Sequence, residues 1–460
     1  MSINSFENYP MTWKPDRNLL KTPLYFHLAQ LLEQDIRAGR LPFGTQLPPQ
    51  RELADFLDIN LSTVTRAFKI CMQKGLIHAV IGKGTFVSSQ PPLPLSAFKK
   101  DETCIRLSVL CSYYQLNHIV SDVSRKLMQS QSVDQLFEFD AGQTEQEQKQ
   151  KITAQNWLQK FQVQTSVDNI LLADGTQNAL VIAFLTLFKA GDKIGVDTFT
   201  YTNFIALANQ FQIELVPLKS DKEGILIQDL VKTLKQQKLK ALYLVPTSNN
   251  PTAVSLSMKR RKQLAELIVK KQLLLIEDDT YAFINAKDTP PFVQLIPQHT
   301  IYIHGLSKSL FSGLRVAYMV VPNHLQPQFT KTADTLNTHI PLLNANIVSE
   351  LIVSGKADEV IERKKALAQE RNALYRQYFP KSAAANPYVL FQWLPLPEHI
   401  NGYDFEELAK KNGVEILCAE RFLVGGATEQ SFLRVATCSP DTTEELEQGL
   451  KLLKKLLPLA

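Results

Sequence analysis

The chain of 460 residues contains no run near the roughly 18 consecutive apolar residues that a membrane span needs. Its opening, MSINSFENYPMTWKPDR, has no apolar h-region and does not read as a secretory signal. Cysteine is scarce. Cys71, Cys104, Cys111, Cys418 and Cys438 are odd in number and show no CxxC spacing, which argues for free thiols in a reducing cytoplasm. The eight histidines are scattered and form no HExxH or similar pair, so no metal is expected. A large excess of one charge is also missing, since the formal net charge is +5. These absences leave a cytoplasmic protein of two or three domains, without membrane contact.

The modest charge has a location. Residues 11–90 hold ten Lys/Arg against six Asp/Glu, a net of +4. Most of the excess therefore falls in the first fifth of the chain, where a phosphate backbone would be met. The same stretch reads as three helices and a hairpin. PLYFHLAQLLEQDIRAG puts Leu24, Leu28, Leu32 and Ile36 four apart, with Gly39 as a stop. PPQRELADFLDI is a short helix entered through Pro48 and Pro49. INLSTVTRAFKICMQKGL is a third, with Ser62 or Thr63 as its cap and Gly75 at its end. IHAVIGKGTFVSS alternates and turns at Gly82-Lys83-Gly84, as a two-stranded wing does.

The turn Asp58-Ile59-Asn60 between two helices is a helix-turn-helix spacing. Ser62, Thr63, Thr65 and Arg66 then face DNA, Val64, Ala67, Phe68 and Cys71 pack inward, and Arg51 and Lys83 meet phosphates. A plain three-helix packing module is the ordinary alternative. The stretch PLYFHLAQLLEQDIRAGRLPFGTQLPPQRELADFLDINLSTVTRAF, with its GKGTFV, resembles the winged helix of GntR-type repressors. That resemblance implies a double-stranded DNA operator as partner.

SSQPPLPLSAFKKDETC marks a linker. Beyond it, apolar runs such as KIGVDTF, IELVPL, ALYLVP, LLLIEDD, TIYIHG and RVAYMVVP alternate with amphipathic stretches, the rhythm of an α/β domain with a largely parallel sheet. Later strands near YVLFQWL and SFLRVAT belong to a smaller α/β lobe. The expected division is an arm (1–22), a winged helix-turn-helix (23–88), a linker (89–104), a large lobe (105–325) and a small lobe (326–460).

Five segments of the large lobe carry chemistry. DGTQNAL sets Gly175 and Thr176 at a helix start, where amides hold phosphate. DTFTYTNF places Tyr201 after a strand, PTSNNPTAV places Asn250 before a proline, and LLLIEDDTYAF places Asp278 at a strand end with Tyr281 beyond. HGLSKSLFSGLR holds Ser307, Lys308 and Arg315. Pyridoxal 5'-phosphate accounts for all of them. Lys308 is the amine for a Schiff base, and Asp278 is the anion for the pyridine nitrogen. Asn250 and Tyr281 donate to the ring oxygen, and Tyr201 stacks on the ring. Gly175, Thr176, Ser307 and Arg315 bind the phosphate. Taken singly, each has an ordinary alternative: a cap for Asp278, core for Tyr201, a surface ion pair for Arg315.

Residues 105–455 resemble class I/II aminotransferases of fold type I. With the GntR-type head, the whole chain resembles the MocR-type regulators, and TWKPD, GTQLPPQRELA, NPTA and EDDTY point to their YdcR-like branch. The resemblance implies that Arg434, in SFLRVA, grips a substrate or effector carboxylate beside Asn250. It also implies a homodimer and a small amine or amino acid effector. Two departures stand out. Gly305 occupies the place of a phosphate-binding serine, and Phe139, in FDAG, that of a tyrosine. The expected function is a pyridoxal-phosphate-dependent transcriptional regulator. A working aminotransferase with a DNA-binding head, and a cofactor-free dimerisation scaffold, are the alternatives.

Overall fold

The computed structural model describes residues 11–37, 40–42, 44–73, 76–80, 84–87, 103–129, 143–285, 289–337, 339–398, 400–425 and 430–457. The chain divides into two compact units, Met1–Lys99 and Lys100–Ala460.

In the first unit, helix Leu24–Arg37 buries Leu28 and Leu32 and leaves Leu24 and Ile36 half-buried. Helix Gln50–Leu57 ends where Asp58 takes a left-handed conformation (φ 49°). That turn sets helix Leu61–Gln73 across the preceding one, with Val64, Ala67, Phe68 and Cys71 all fully buried. The helix begins at Leu61, so Ser62 and Thr63 sit inside its first turn and do not cap it. Strands Ile77–Val80 and Gly84–Val87 pair antiparallel, in the register Ile77 with Val87. Gly39, Gly75 and the wing tip with Lys83 lie outside the described residues. Trp13, only 4% exposed, donates from Nε1 to Asp35 Oδ2 at 2.7 Å, which fastens the chain's first described residues to this unit.

The second unit is built on a seven-stranded sheet. Its order is Ile170–Ala173, Ala317–Val320, Thr300–Gly305, Leu274–Asp278, Ala241–Leu244, Lys193–Asp197 and Glu214–Leu218. All strands run parallel except Ala317–Val320, which is antiparallel to both its neighbours. The central strands are apolar along their length because helices cover both faces. Leu242, Tyr243, Ile276, Tyr302 and Ile303 have no exposed surface. A smaller antiparallel sheet joins Gln392–Pro395, Phe432–Val435 and Leu417–Cys418.

One strand falls on the other side of the expected lobe boundary. Ile105–Arg106, assigned by sequence to the large lobe, pairs in parallel with Val414–Glu415. Leu107 continues it, fully buried, and its carbonyl accepts from Ala436 N at 2.9 Å. Two apolar residues at alternate positions seek the small lobe's helix Thr443–Leu456, a partner some 340 residues away that local pattern does not reveal. No described helix is long and apolar enough to cross a membrane.

Candidate functional site

The C-terminal ends of the parallel strands gather the chemistry, as open α/β sheets do. Strand Ile170–Ala173 leads through Asp174 into helix Gly175–Leu187. Gly175 has φ +79°, and a Cβ there would stand 2.6 Å from Arg315 Nη2. Glycine therefore lets the guanidinium lie against a helix N-terminus. Two positive features share that place, an arrangement that suits an anion between them. Arg315 also reaches Ser307 Oγ at 3.4 Å. Burial raises the Asp174 carboxyl, and Arg315 opposes that rise.

Gly305 has a structural reason. A Cβ at this position would run into Thr176 Oγ1 and stand 2.7 Å from Thr280 Oγ1. The two hydroxyls are 3.2 Å apart and fill the space a serine would take. Thr280 Oγ1 also donates to Asp278 Oδ1 at 2.6 Å, so its proton is committed and its oxygen is left to accept from Thr176. Thr280 thus joins the helix start to Asp278.

Asp278 closes the central strand. Of the three consecutive acids, strand alternation turns Glu277 to the opposite face. There Glu277 accepts from Phe292 N and Val293 N, 3.8 Å from Arg261, and burial lifts its carboxyl to about 8. Asp279 accepts from Tyr302 OH at 3.2 Å. Asp278 alone faces the site, receiving Tyr243 OH at 3.0 Å as well as both Thr280 donors. Burial raises its carboxyl, and the Thr280 and Tyr243 hydroxyls counter by favouring the ionised form. Tyr201 is half-buried nearby, its phenol pushed up to about 12 by burial and next by Asp278, so it stays neutral. Tyr281 is 4% exposed and meets Phe391 edge-on at 5.7 Å.

Arg434 Nη1 donates to Asn250 Oδ1 at 2.9 Å, and Nη2 donates to the Ser108 carbonyl. The guanidinium is 1% exposed, lies 4.8 Å from the Phe422 ring centroid, and keeps Nε without a partner. Burial draws it down to about 10. Asn250 precedes a cis proline, Pro251. Lys308, half-buried in the short helix Leu306–Ser309, donates from Nζ to Leu110 O at 2.6 Å, and burial lowers its ammonium. Phe139 lies outside the described residues.

In the first unit, Ser62, Thr65, Arg66 and Arg51 are exposed and Thr63 is half-buried. Thr65 Oγ1 donates to Gln50 Oε1 at 2.8 Å, and the Arg66 guanidinium rests 4.0 Å from the Tyr25 ring centroid.

Sequence reasoning passed over Thr280, Tyr243, Lys364 and the Ser108–Ser112 backbone. Tyr243 left a signal, as the one hydroxyl-bearing side chain in the strand Ala241–Leu244. Lys364 left none, because it sits in a run of charges, ERKKALAQER, that reads as a solvated helix face.

Two observations test pyridoxal phosphate against this site: a buried arginine nitrogen without a partner, and a helix start where missing side-chain atoms admit an arginine. Both fit a cofactor with a phosphate and a substrate with a carboxylate. Residues 106–452 match the aminotransferase class I and II family, and residues 24–87 match the bacterial regulatory proteins of the gntR family. An uncharacterized HTH-type transcriptional regulator of Bacillus subtilis (strain 168), YdeF, is 38% identical over 99% of each chain. Another of Escherichia coli (strain K12), YdcR, is 24% identical over 94% of this chain and 98% of its own. LysN, an α-aminoadipate aminotransferase from Thermus thermophilus solved with N-(5'-phosphopyridoxyl)-L-leucine, superposes with a TM-score of 0.69 at 20% identity, covering 77% of this chain and 92% of its own. Both parts of the chain thus match known families, and YdeF matches along nearly the whole polypeptide. The protein belongs to the aminotransferase class I and II family and carries a gntR-family winged helix ahead of that domain, the architecture of the MocR-type, pyridoxal-phosphate-dependent DNA-binding regulators.

Proposed function

We propose that the protein binds operator DNA as a cytoplasmic homodimer and that an amine or amino acid, captured in the aminotransferase-like unit, alters that binding. The observation that carries the amino acid reading is Arg434, a buried guanidinium with an unpartnered Nε and no carboxylate among its hydrogen-bond partners. An α-carboxylate would supply the missing anion.

Pyridoxal phosphate, when bound, supplies an aldehyde carbon and a ring that draws electrons toward its nitrogen. The chain's part is to hold, orient and exclude water. Arg315, Ser307, Thr176 and the Gly175 and Thr176 amides would hold the phosphate. Asp278, whose oxygens accept from Thr280 and Tyr243, would face the ring nitrogen and hold its proton. Asn250 spends its oxygen on Arg434, which leaves its amide N–H groups to donate to a ring oxygen, with Tyr281 beside it. Tyr201 would cover one ring face. Lys308 would be the attacking amine, and its lowered proton affinity leaves more of it neutral. The exposed side of helix Leu61–Gln73 would enter a major groove, with Ser62, Thr63, Thr65 and Arg66 toward bases and Arg51 and Lys83 toward phosphates.

The retained pair Lys308 and Asp278 also favours a second reading, a working aminotransferase with a DNA-binding head. A scaffold without cofactor needs neither residue. The deciding experiment is a DNA-binding titration with and without candidate amines and amino acids, alongside an assay of turnover with 2-oxo acids. Effector-dependent operator affinity supports the regulator. Identical affinity under every ligand, with sustained transamination, replaces it by the enzyme.

A further inference from the structure

Lys364 lies on the long helix Lys356–Tyr378 with 1% of its surface exposed. Its Nζ donates to Ser112 Oγ at 2.6 Å, to Lys308 O at 3.1 Å and to Leu310 O. Ser112 Oγ itself donates to Leu310 O at 3.0 Å, so its only proton is committed and its oxygen receives from Lys364. Three acceptors call for three N–H donors. An ammonium has them and a neutral amine does not. The Phe311 ring, with its centroid 5.4 Å away, adds attraction for a cation.

Burial works the other way, and the charge of Lys308 adds to it, drawing Lys364 down to about 7. The ionisable groups that face it are Lys308, from the turn below, and Cys438, from the segment after strand Phe432–Val435. No carboxylate pairs with it among the described residues. A buried cation without an anion is costly, and an apolar side chain would fill the same volume more cheaply. The position of the charge explains its presence. Its two carbonyl acceptors belong to the end of the turn that carries Lys308, and its hydroxyl acceptor belongs to the segment whose Leu110 carbonyl receives the Lys308 amine.

We propose that Lys364 is a positioning residue for Lys308: it clamps the turn that carries Lys308 to Ser112 and, while it is an ammonium, disfavours a second positive charge on the Lys308 amine. The proposal rests on the reading of Lys308 as the attacking amine. Cys111 and Cys438, also beside Lys308, raise its proton affinity if ionised, whereas Arg434 and Arg315 lower it.

The test is competitive acetylation of the full-length protein with acetic anhydride over a pH series, read at Lys308 by mass spectrometry. In the wild type, the Lys308 midpoint should fall at least about one pH unit below that of an exposed lysine. Lys364→Met should raise it by about one to two units, since a neighbouring like charge disfavours the charged form. Lys364→Arg should restore the wild-type midpoint, which a purely space-filling role would not produce. An unchanged midpoint in a folded Lys364→Met variant overturns the proposal. If that variant does not fold, Lys364→Gln must show the same rise, and a wild-type midpoint equal to that of an exposed lysine overturns the proposal without any variant. Addition of pyridoxal phosphate to the wild type tests the underlying reading separately. Absence of a visible absorbance band refutes the cofactor reading, while a midpoint raised in Lys364→Met and restored in Lys364→Arg upholds the effect of Lys364 on its neighbour.

Discussion

The two units treat positive charge in opposite ways. In the first, Arg51, Arg66 and Lys69 stand exposed in the helices Gln50–Leu57 and Leu61–Gln73. In the second, Arg261, Arg371, Arg434 and Lys364 are at most 1% exposed. Exposed cations act collectively, are screened by salt and suit a long polyanion whose counterions they release. Buried cations act singly. Arg371 holds the carbonyls of Thr437, Pro440 and Asp441, and Arg434 holds Asn250 and Ser108. Such cations select by geometry and are little affected by bulk salt. On the proposed function, one chain would join a surface that reads charge density to a site that reads a single small anion.

The sharpest way to break this comparison is Arg434→Ala. Removal of a buried, hydrogen-bonded cation should weaken carboxylate-bearing effectors by about 2–5 kcal/mol, while simple amines bind as before. Calorimetry with an amino acid and its decarboxylated amine checks this. Equal losses for both would mean that Arg434 holds the site's shape and not a carboxylate.

A smaller effect is expected on the exposed side. Arg66→Ala should cost about 1–3 kcal/mol on the preferred operator if the guanidinium reaches a base edge. If it meets phosphate alone, all sequences should weaken equally and the salt slope should fall by about one. Gel-shift titrations at two salt concentrations separate the cases. In the same buffers, amino acid affinity should change little with salt, and a parallel loss would erase the contrast between the units.

Neutral contacts come next. Thr280→Val removes the hydroxyl between Thr176 and Asp278 without changing charge, and should weaken pyridoxal phosphate by about 1–2 kcal/mol, with Thr280→Ser restoring it. Gly305→Ser supplies the hydroxyl that aminotransferases commonly place there, yet its Cβ meets Thr176 and Thr280. It should lower stability by about 1–3 kcal/mol and not tighten cofactor binding. Spectral titration and thermal melts read both effects.

A last effect is a pH limb, small near neutrality and growing as pH falls. Trp157 Nε1 can only donate, so His304 Nε2 accepts from it at 3.2 Å and the imidazole is neutral in the fold. Burial holds His304 at about 3. The unfolded chain therefore binds more protons between about pH 6.5 and 3, and the contribution of His304 to stability, complete above 6.5, is lost as pH falls, at no more than about 1.4 kcal/mol per unit. His304→Gln should flatten that acid limb in urea melts at fixed pH values.

These comparisons also explain what local pattern revealed. The strands Leu274–Asp278 and Thr300–Gly305 were legible because burial on both faces demands continuous apolar runs. The places of Lys308, Asp278, Asn250 and Arg315 near strand ends were legible, and strand ends are where such sheets bind ligands. Thr280 was not, since its role depends on Thr176, more than a hundred residues earlier. Lys364 was hidden by its sequence neighbours Arg363 and Lys365, which pair with acids at the surface. The start of helix Leu61–Gln73 was misplaced because two hydroxyl residues inside the first turn resemble caps. The strand Ile105–Arg106 was assigned to the wrong lobe because a two-residue pairing leaves no period to read.

That short strand bears on how a signal leaves the site. The first residues after the linker are stitched into the small lobe, by Ile105 N to Gly413 O and Leu107 N to Glu415 O, each at 2.8 Å. Ala436, two residues beyond Arg434, donates back to Leu107 O. The first described residues beyond the linker are therefore rooted beside the arginine strand, and the same segment reaches the lysine a few residues later, where Leu110 O receives Lys308 Nζ. If Arg434 grips a carboxylate as proposed, a shift of its strand would be felt at Leu107, so ligand binding and the root of the tether would share one element.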